Sequence, residues 1–242
     1  AKRDGHEAVL FQTCYVQNNE PQIGRDTLEV MDANQVDCVA VEGLVCCGMP
    51  RWEKGDLESL RQQARHNIDR LLPHVEAGSK ILGLNPTCTM MLRKEYPELL
   101  EGDDRAKAKQ VAAAVMEAGE FLWSLRKEDR FCDEPKSTPK AEGFAYHAPC
   151  HLRVQRVGFK GRDLIKKVLG IRPETVMECC GHDGTYAMSV EGFEPSQRVG
   201  KKAFAEMKDA ETAIWATDCP LAAIQFEQHA GVKALHPMTI LA

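Results

Sequence analysis

The sequence predicts an α/β fold of two pseudo-symmetric repeats, each a small, mainly parallel sheet with flanking helices. Short apolar runs alternate with amphipathic segments, which is the pattern of strands joined by crossover helices. The motif Cys46-Cys47-Gly48 recurs as Cys179-Cys180-Gly181. Single cysteines also stand at matching places in the two halves, as expected of an internal repeat. Cys14 of the first half corresponds to Cys150 of the second, and Cys88 corresponds to Cys219.

The first half is predicted to contain three strands that each lead to cysteine. Each is an apolar run of strand length that ends in polar or turn-forming residues. Because the carboxyl ends of parallel strands meet along one edge of a sheet, the cysteines of this half are expected to lie together there. The strands are residues 8–11 before Cys14, 36–41 before Cys46 and Cys47, and 80–84 before Cys88.

Helices are predicted between and after these strands. Pro21 is placed to open the first, and residues 57–75 carry apolar side chains at spacings of three and four. Residues 105–126 are rich in alanine, which favours helix. We predict one continuous helix over this last segment, with Gly119 as a weak interruption.

Residues 129–142 predict a linker, because they lack periodicity and contain two prolines. The first repeat is therefore predicted over residues 1–128 and the second over 143–242. The second repeat again has apolar runs that lead to cysteine, and helices are predicted from Gly161 and over 198–208. The runs are 144–147 before Cys150, 175–177 before Cys179 and Cys180, and 212–216 before Cys219, with a last short strand at 232–235.

Composition argues against several classes of function. The 242 residues include 31 Lys and Arg against 36 Asp and Glu, a net charge of −5, so no basic field favours nucleic acid or an anionic membrane. No apolar run approaches the ~20 residues of a membrane-spanning helix, and no secretory signal is expected. The start at Ala1 suggests a processed chain or a fragment. The motifs of kinases, serine hydrolases and self-contained dinucleotide enzymes are not found.

The repeated cysteines are predicted to bind metal. Four clustered thiolates in each half suit an iron–sulfur cluster or a structural zinc. The adjacent pairs favour a cluster. Neighbouring side chains of an extended segment point apart, so two adjacent thiolates cannot easily bind one small ion, whereas a larger multi-iron cluster has corners to receive both. Disulfides, zinc and plain core packing are the alternatives. The predicted ligands are Cys14, Cys46, Cys47 and Cys88 in the first half and Cys150, Cys179, Cys180 and Cys219 in the second, whereas Cys38 and Cys132 have no counterpart and are predicted to be structural.

Two glycines and three histidines are further candidates for the site. Gly48 and Gly181 are predicted at the cofactor, since a missing side chain lets the backbone approach a bulky inorganic group. His147 is predicted among the cofactor-binding residues, and His151 and His182 are candidate proton relays. The alternative for all three imidazoles is a polar shell that only tunes the site by hydrogen bonding.

Together these motifs resemble the cysteine-rich CCG domain family, and the resemblance covers nearly the whole chain. It extends to the iron–sulfur subunits of anaerobic glycerol-3-phosphate dehydrogenase and of lactate and glycolate oxidation, and to the B subunit of heterodisulfide reductase. The motifs that carry it are Phe11-Gln12-Thr13-Cys14, Cys46-Cys47-Gly48, Pro86-Thr87-Cys88-Thr89, Tyr146-His147-Ala148-Pro149-Cys150-His151, Cys179-Cys180-Gly181 with Gly184-Thr185-Tyr186, Thr217-Asp218-Cys219 and His236-Pro237.

The resemblance implies an electron-transfer subunit of an oxidoreductase with one or two iron–sulfur clusters, of the 4Fe-4S type or a noncubane variant. A flavoprotein dehydrogenase would supply electrons, a ferredoxin-like iron–sulfur domain or chain would accompany it, and a quinone or another acceptor would receive them. The implied setting is anaerobic respiration in the cytoplasm, with membrane association only through partner subunits. The alternatives are disulfide reduction of the heterodisulfide reductase type and a structural zinc or disulfide module.

The sequence departs from the family pattern in two ways. The last motif is often Cys-x-x-Cys, but Met91 follows Cys88 and Ala222 follows Cys219 at that spacing. This puts ligation by five thiolates in doubt, although four ligands in each half suffice for an ordinary four-iron cluster. Ferredoxin-like cysteine runs ahead of the first repeat are also missing, which suggests that they lie in another chain or were removed.

Overall fold

The computed structural model describes residues 5–134 and 141–242, and the chain forms two compact units, Ala1–Phe131 and Cys132–Ala242. Each unit contains a parallel sheet with flanking helices, one of four strands and one of three. The predicted fold class is therefore confirmed. Of the predicted linker at 129–142, residues 135–140 lie outside the described part of the chain.

The first unit is built on a sheet of order β2-β1-β3-β4 in which all neighbours are parallel. The central strand β1 is buried along its whole length, as expected for a strand covered on both faces. The register places Leu10 of β1 beside Ala40 of β2 and Leu82 of β3. The strands are β1 Ala8–Phe11, β2 Cys38–Ala40, β3 Lys80–Gly83 and β4 Val115–Glu117.

Eight α-helices connect and cover this sheet within the described residues. The longest, α4, turns Leu60, Ala64 and Leu71 into the core. A π-helical turn, Met91–Glu95, links α5 to α6. The helices are α1 Cys14–Asn18, α2 Pro21–Ala33, α3 Met49–Glu53, α4 Leu57–Glu76, α5 Pro86–Met90, α6 Tyr96–Leu99, α7 Gly102–Ala114 and α8 Ala118–Ser124.

The predicted helix over 105–126 is wrong, because β4 interrupts it. Val115, Met116 and Glu117 pair in parallel with β3, and the carbonyl of Val115 accepts hydrogen bonds of 2.8 and 2.7 Å from the Arg93 guanidinium. Glu117 and Glu120 then form a reciprocal cap at the start of α8. Pairing with the sheet thus overrides the helical preference of this Ala-rich segment.

The second unit has a three-stranded parallel sheet of order β6-β5-β7. The predicted strand at 232–235 is reduced to a single bridge between Leu235 and Ala216, and the predicted helix at 198–208 is the second half of a longer one. The strands are β5 Gly143–His147, β6 Arg172–Val176 and β7 Ile214–Thr217; the helices are α9 Cys150–Gln155, α10 Lys160–Leu169, α11 Val190–Asp209, α12 Pro220–Ala230 and α13 Pro237–Leu241, with a 3₁₀ turn at Tyr186–Met188.

Membrane insertion through a helix finds no support in the described ranges. No helix within residues 5–134 and 141–242 combines the length and the apolar character needed to cross a bilayer.

Candidate functional site

In both units the repeated cysteines follow the carboxyl ends of the strands. Cys14 opens α1 after β1, and Cys150 opens α9 after β5. Thr13 turns the chain sharply between β1 and α1, with φ 63° and ψ 150°, and its hydroxyl accepts a hydrogen bond from the amide of Val16 at 3.2 Å. This backbone region is costly for a residue with a side chain, so the turn that presents Cys14 is held under strain.

The four thiols of the first unit form a row of contacts. The thiol of Cys14 donates to the sulfur of Cys46 at 3.6 Å, and the Cys47 thiol is hydrogen-bonded to both Cys46 and Cys88. Because Cys14 and Cys47 both donate to it, Cys46 has its pKa lowered to about 3. The same contacts, with burial, raise the pKa of Cys14 and of Cys47. One thiolate, on Cys46, is therefore stabilised by the neutral thiols of Cys14 and Cys47.

Buried polar side chains hold the Cys46-Cys47 segment in place. Asn67 receives the amide of Val45 at 2.9 Å and donates to the carbonyls of Val45 and Cys46 at 3.2 and 3.3 Å. Tyr96, fully buried, accepts from the Asn67 amide at 3.1 Å and donates to the carbonyl of Cys47 at 2.9 Å. The backbone around both cysteines is thereby fixed by two side chains from α4 and α6.

Gly48 and Gly181 adopt the left-handed conformation, with φ 88° and 81°. A Cβ on Gly48 would lie 2.2 Å from Cδ1 of Leu60, and one on Gly181 only 2.0 Å from the carbonyl oxygen of Ser196. Backbone packing therefore requires glycine at Gly181, whereas at Gly48 the positive φ and the end of the Leu60 side chain favour it. Their amides donate to the sulfurs of Cys46 and Cys179 at 3.4 and 3.3 Å, so each glycine contacts the candidate ligands through its N–H group.

In the second unit, Cys150 and Cys179 form the corresponding close pair. Cys179 donates to Cys150, which lowers the pKa of Cys150 to about 5, and the Arg153 guanidinium adds to this effect with its Nη2 3.3 Å from the sulfur. The pKa of Cys179 is raised in turn. Here the stabilised thiolate lies on the single cysteine, not on the Cys-Cys-Gly motif.

Cys180 and Cys219 lie in the apolar core of the second unit, where they pack in the same cluster around Phe226. Burial raises the pKa of Cys180 to about 11, although the backbone amide of His182 is hydrogen-bonded to its sulfur. The carbonyl of Cys180 accepts from Gln225 of α12 at 3.1 Å. The second unit therefore brings its four cysteines to the same end of the sheet, and Cys150 and Cys179 are in direct sulfur contact.

The three histidines have different surroundings. His147 is buried with both ring nitrogens in contact with protein, at 3.3 Å from the Thr217 hydroxyl and 3.1 Å from the carbonyl of Glu178. Burial lowers its pKa to about 4, so it is neutral and joins the ends of neighbouring strands. His182 is also buried and has its pKa lowered, and its Nδ1 has no hydrogen-bond partner in the described residues. His151 is half-buried on α9 beside Cys150.

Asp218, next to Cys219, is a buried carboxyl that the sequence did not single out. Burial raises its pKa to about 6, and the Tyr146 hydroxyl donates to it. Arg153, Asn67 and Tyr96 were missed as well. A basic residue one helical turn after Cys150 was a usable signal for Arg153, whereas Asn67 and Tyr96 reach the cysteines only through the tertiary fold.

Cys38 and Cys132 lie away from these contacts. Cys38 is half-buried in β2, where burial raises its pKa to about 12, and Cys132 donates to the carbonyl of Glu134 at 3.6 Å. Across the parts of the chain that the structure describes, no three His, Cys, Asp or Glu side chains are arranged to hold a single metal ion.

Comparison with known proteins agrees with the repeat. A family model described as "CCG: Cysteine-rich domain" matches residues 8–93 and 144–227. The C subunit of anaerobic glycerol-3-phosphate dehydrogenase from Escherichia coli K12 is 28% identical over 241 residues, or 98% of this chain. Lactate utilization protein A is 26% identical over 220 residues in Bacillus cytotoxicus and 28% over 217 residues in Bacillus velezensis.

The extent of these matches differs. The chain covers 58% of the length of the Escherichia coli protein, and 87% and 86% of the two lactate utilization proteins. The two segments matched by the family model make up more than half of the chain and contain all eight repeated cysteines. The chain therefore belongs to the CCG cysteine-rich domain family, as its motifs predict.

Proposed function

We propose that this chain is an iron–sulfur electron-transfer subunit of a dehydrogenase. The observation that carries the proposal is the row of four thiols in the first unit, where Cys14, Cys46, Cys47 and Cys88 are connected by sulfur contacts. Thiolates are the ligands that iron–sulfur clusters take from proteins. The second unit supplies the matching set Cys150, Cys179, Cys180 and Cys219.

The residues present fit such a cluster in three respects. The donors are all sulfur, and the first sulfur of each Cys-Cys-Gly motif accepts a backbone N–H, the kind of bond that tunes cluster potentials. Cys46 and Cys150 have their pKa values lowered, which favours the thiolate form that binds metal. A 4Fe-4S or noncubane cluster is the proposed cofactor, with one cluster in each unit.

When bound, the cluster supplies one-electron oxidation and reduction. The chain's own residues hold and shield it. Asn67 and Tyr96 fix the backbone of the ligand segment, Gly48 and Gly181 direct amides at sulfur, and Leu60 and Phe226 supply apolar surroundings that exclude water. Met91 and Ala222, at the places of a fifth thiol, are buried and apolar, which favours four thiolate ligands in each unit.

The relatives suggest the partners. Two are named as a subunit of anaerobic glycerol-3-phosphate dehydrogenase and a lactate utilization protein. We therefore propose a flavoprotein dehydrogenase as electron donor, a ferredoxin-like iron–sulfur domain or chain in the same complex, and a quinone or another carrier as acceptor. His151 and His182 remain the candidate proton relays, and His147 acts on the site by tying the strand ends.

Metal analysis of anaerobically reconstituted protein tests this proposal. Stoichiometric iron with acid-labile sulfide, broad visible absorption and an EPR signal on reduction are expected. Cys132→Ser is the matched control, because Cys132 lies away from the thiol rows, and it should keep the iron. Protein that stays colourless and free of iron, or that takes up zinc without sulfide, contradicts the proposal and favours the zinc module.

A second candidate, disulfide reduction, is favoured by the sulfur pair Cys14 and Cys46, 3.6 Å apart with one sulfur held as thiolate. A low-pKa thiolate beside a second thiol is the arrangement used in thiol–disulfide exchange. Turnover of a disulfide substrate by the cluster-loaded protein would support this candidate. Loaded protein that is reduced and reoxidised but leaves disulfides intact would exclude it.

A further inference from the structure

The two repeats differ one helical turn after their first cysteine. Helices α1 and α9 both begin at the single cysteine, so the residue three positions later lies close to that sulfur. In the first unit this residue is Gln17, which is neutral and exposed. In the second unit it is Arg153, whose Nη2 lies 3.3 Å from the sulfur of Cys150.

The Arg153 guanidinium contacts the Cys150 sulfur and has a further N–H donor that is not used. Its Nε is buried and has no hydrogen-bond partner among the described residues. A buried N–H group without an acceptor is unfavourable, and an inorganic sulfide next to Cys150 would be an acceptor of the right kind. The fork geometry of arginine lets one side chain donate to two neighbouring acceptors at once.

The first unit has no equal to this contact in its described residues. Arg51 has the effect most similar to that of Arg153, because its charge contributes to lowering the pKa of Cys46. Arg51 is paired with Asp56 at 2.7 Å, however, which offsets its charge. The donors to the Cys46 sulfur include the amide of Gly48 and the thiol of Cys14, which carry no net positive charge.

Adding one electron to a cluster makes it more negative, so a cation and an N–H donor at sulfur stabilise the reduced form. We propose that Arg153 is a positioning residue that raises the reduction potential of the second unit's cluster above that of the first. A cluster held by the second unit would then be reduced at a higher potential than one held by the first, with no bond formed or broken. This inference rests on the proposed function.

Redox titration of the full reconstituted chain, followed by EPR, tests the inference. Cys47→Ser and Cys180→Ser assign each signal to a unit, since each removes a ligand from one unit only. Arg153→Gln should lower the reduction potential of the second cluster by about 59 mV, which is a tenfold change in the equilibrium constant of a one-electron couple. The potential of the first cluster should stay unchanged. Arg153→Lys should recover part of the shift, because it keeps the charge without the fork.

Two further variants keep the test decisive. Arg198→Gln removes the same charge from an exposed position on α11 of the same unit and should shift neither signal. Gln17→Arg should raise the reduction potential of the first cluster. This variant tests the effect of the arginine even if the Arg153→Gln protein binds no cluster in its second unit.

The outcomes separate the inference from the proposed function. Iron and sulfide analysis comes first, and wild-type protein without a cluster would defeat the proposed function itself. Loaded protein whose second cluster lies at the same or a lower potential than the first, or does not respond to Arg153→Gln, overturns the inference alone. Loading of the first unit only would overturn it as well.

Discussion

The two units place cysteines in the same way but stabilise the thiolate at different positions. In the first unit Cys46, from the Cys-Cys-Gly motif, has its pKa lowered to about 3 by neighbouring thiols. In the second unit Cys150, from the single-cysteine position, has its pKa lowered to about 5 by Cys179 and then by Arg153. The difference shows that a repeated backbone can present corresponding cysteines in two unlike electrostatic settings.

The units also differ in how the Cys-Cys-Gly turn is supported. Around Gly48 the close neighbour is the end of the Leu60 side chain, whereas around Gly181 it is the backbone of α11. A side chain can shift to another rotamer more readily than a helix backbone can move. The turn of the second unit is therefore the less tolerant of the two.

The largest expected effect is a loss of stability on substituting these glycines. Gly181→Ala should destabilise the second unit by more than about 3 kcal/mol, because it combines a positive φ with overlap against the Ser196 carbonyl. Gly48→Ala should cost about 2 kcal/mol, since Leu60 can give way. Urea unfolding of each variant checks the order.

Two glycines without close neighbours serve as controls for the cost of the left-handed backbone conformation alone. Gly55 and Gly170 have φ of 70° and 69°, and an added Cβ would meet nothing within 4 Å. Their alanine variants should lose only about 1 kcal/mol from the left-handed conformation. Equal losses at Gly48 and Gly181, or losses no larger than in the controls, would contradict the difference between the two turns.

An intermediate effect is expected from the amide side chains that support the turns. Asn67→Ala would leave the amide of Val45 without its partner and would remove the bonds to the carbonyls of Val45 and Cys46, at a cost of about 2–4 kcal/mol. Gln225→Ala removes the bond to the carbonyl of Cys180 and the longer contacts with Ser196 and His229, none of which leaves a backbone amide unpaired, and should cost about 1–2 kcal/mol. Chemical unfolding measures both, and a larger loss for Gln225→Ala would reverse the comparison.

The smallest effect concerns thiol reactivity in the cluster-free protein. At pH 6 the lowered pKa values keep Cys46 and Cys150 as thiolates, while an ordinary cysteine with a pKa near 9 is protonated. Cys150 is exposed, so it should be alkylated by iodoacetamide at pH 6 faster than Cys132. Arg153→Gln should slow this reaction several-fold at pH 6 and have little effect above pH 9, where the thiolate forms without help. Peptide mass mapping against pH gives the rates; alkylation of Cys150 only above pH 8 would contradict the pKa.

The sequence predicted the features that depend on local pattern. Short apolar runs that end before Cys14, Cys88 and Cys150 predicted strands that deliver cysteine to one edge, and the repeat predicted two sheets. The sequence did not predict elements whose formation depends on contacts with residues distant along the chain. Val115 to Glu117 carries no strand signal within an Ala-rich stretch and becomes β4 only by pairing with β3.

The supporting residues of the site were missed for the same reason. Asn67 lies within a regular amphipathic helix, and its role depends on α4 packing beneath the Cys46 segment. Gly48 and Gly181 were predicted at the cofactor, and that role stays a prediction; the structure shows that a Cβ on either residue would meet protein atoms. Arg153 differs from these, because its spacing from Cys150 along α9 was visible in the sequence.

The central claim is that each unit holds its own cluster through its own four thiols. It is tested most directly by the iron and acid-labile sulfide content of wild-type, Cys47→Ser, Cys180→Ser and doubly substituted protein, all reconstituted anaerobically. We expect each single variant to lose the iron and the EPR signal of one unit and to keep those of the other, and the double variant to hold no cluster. Unchanged iron in all variants, or complete loss in either single variant while both units remain folded, would contradict the claim.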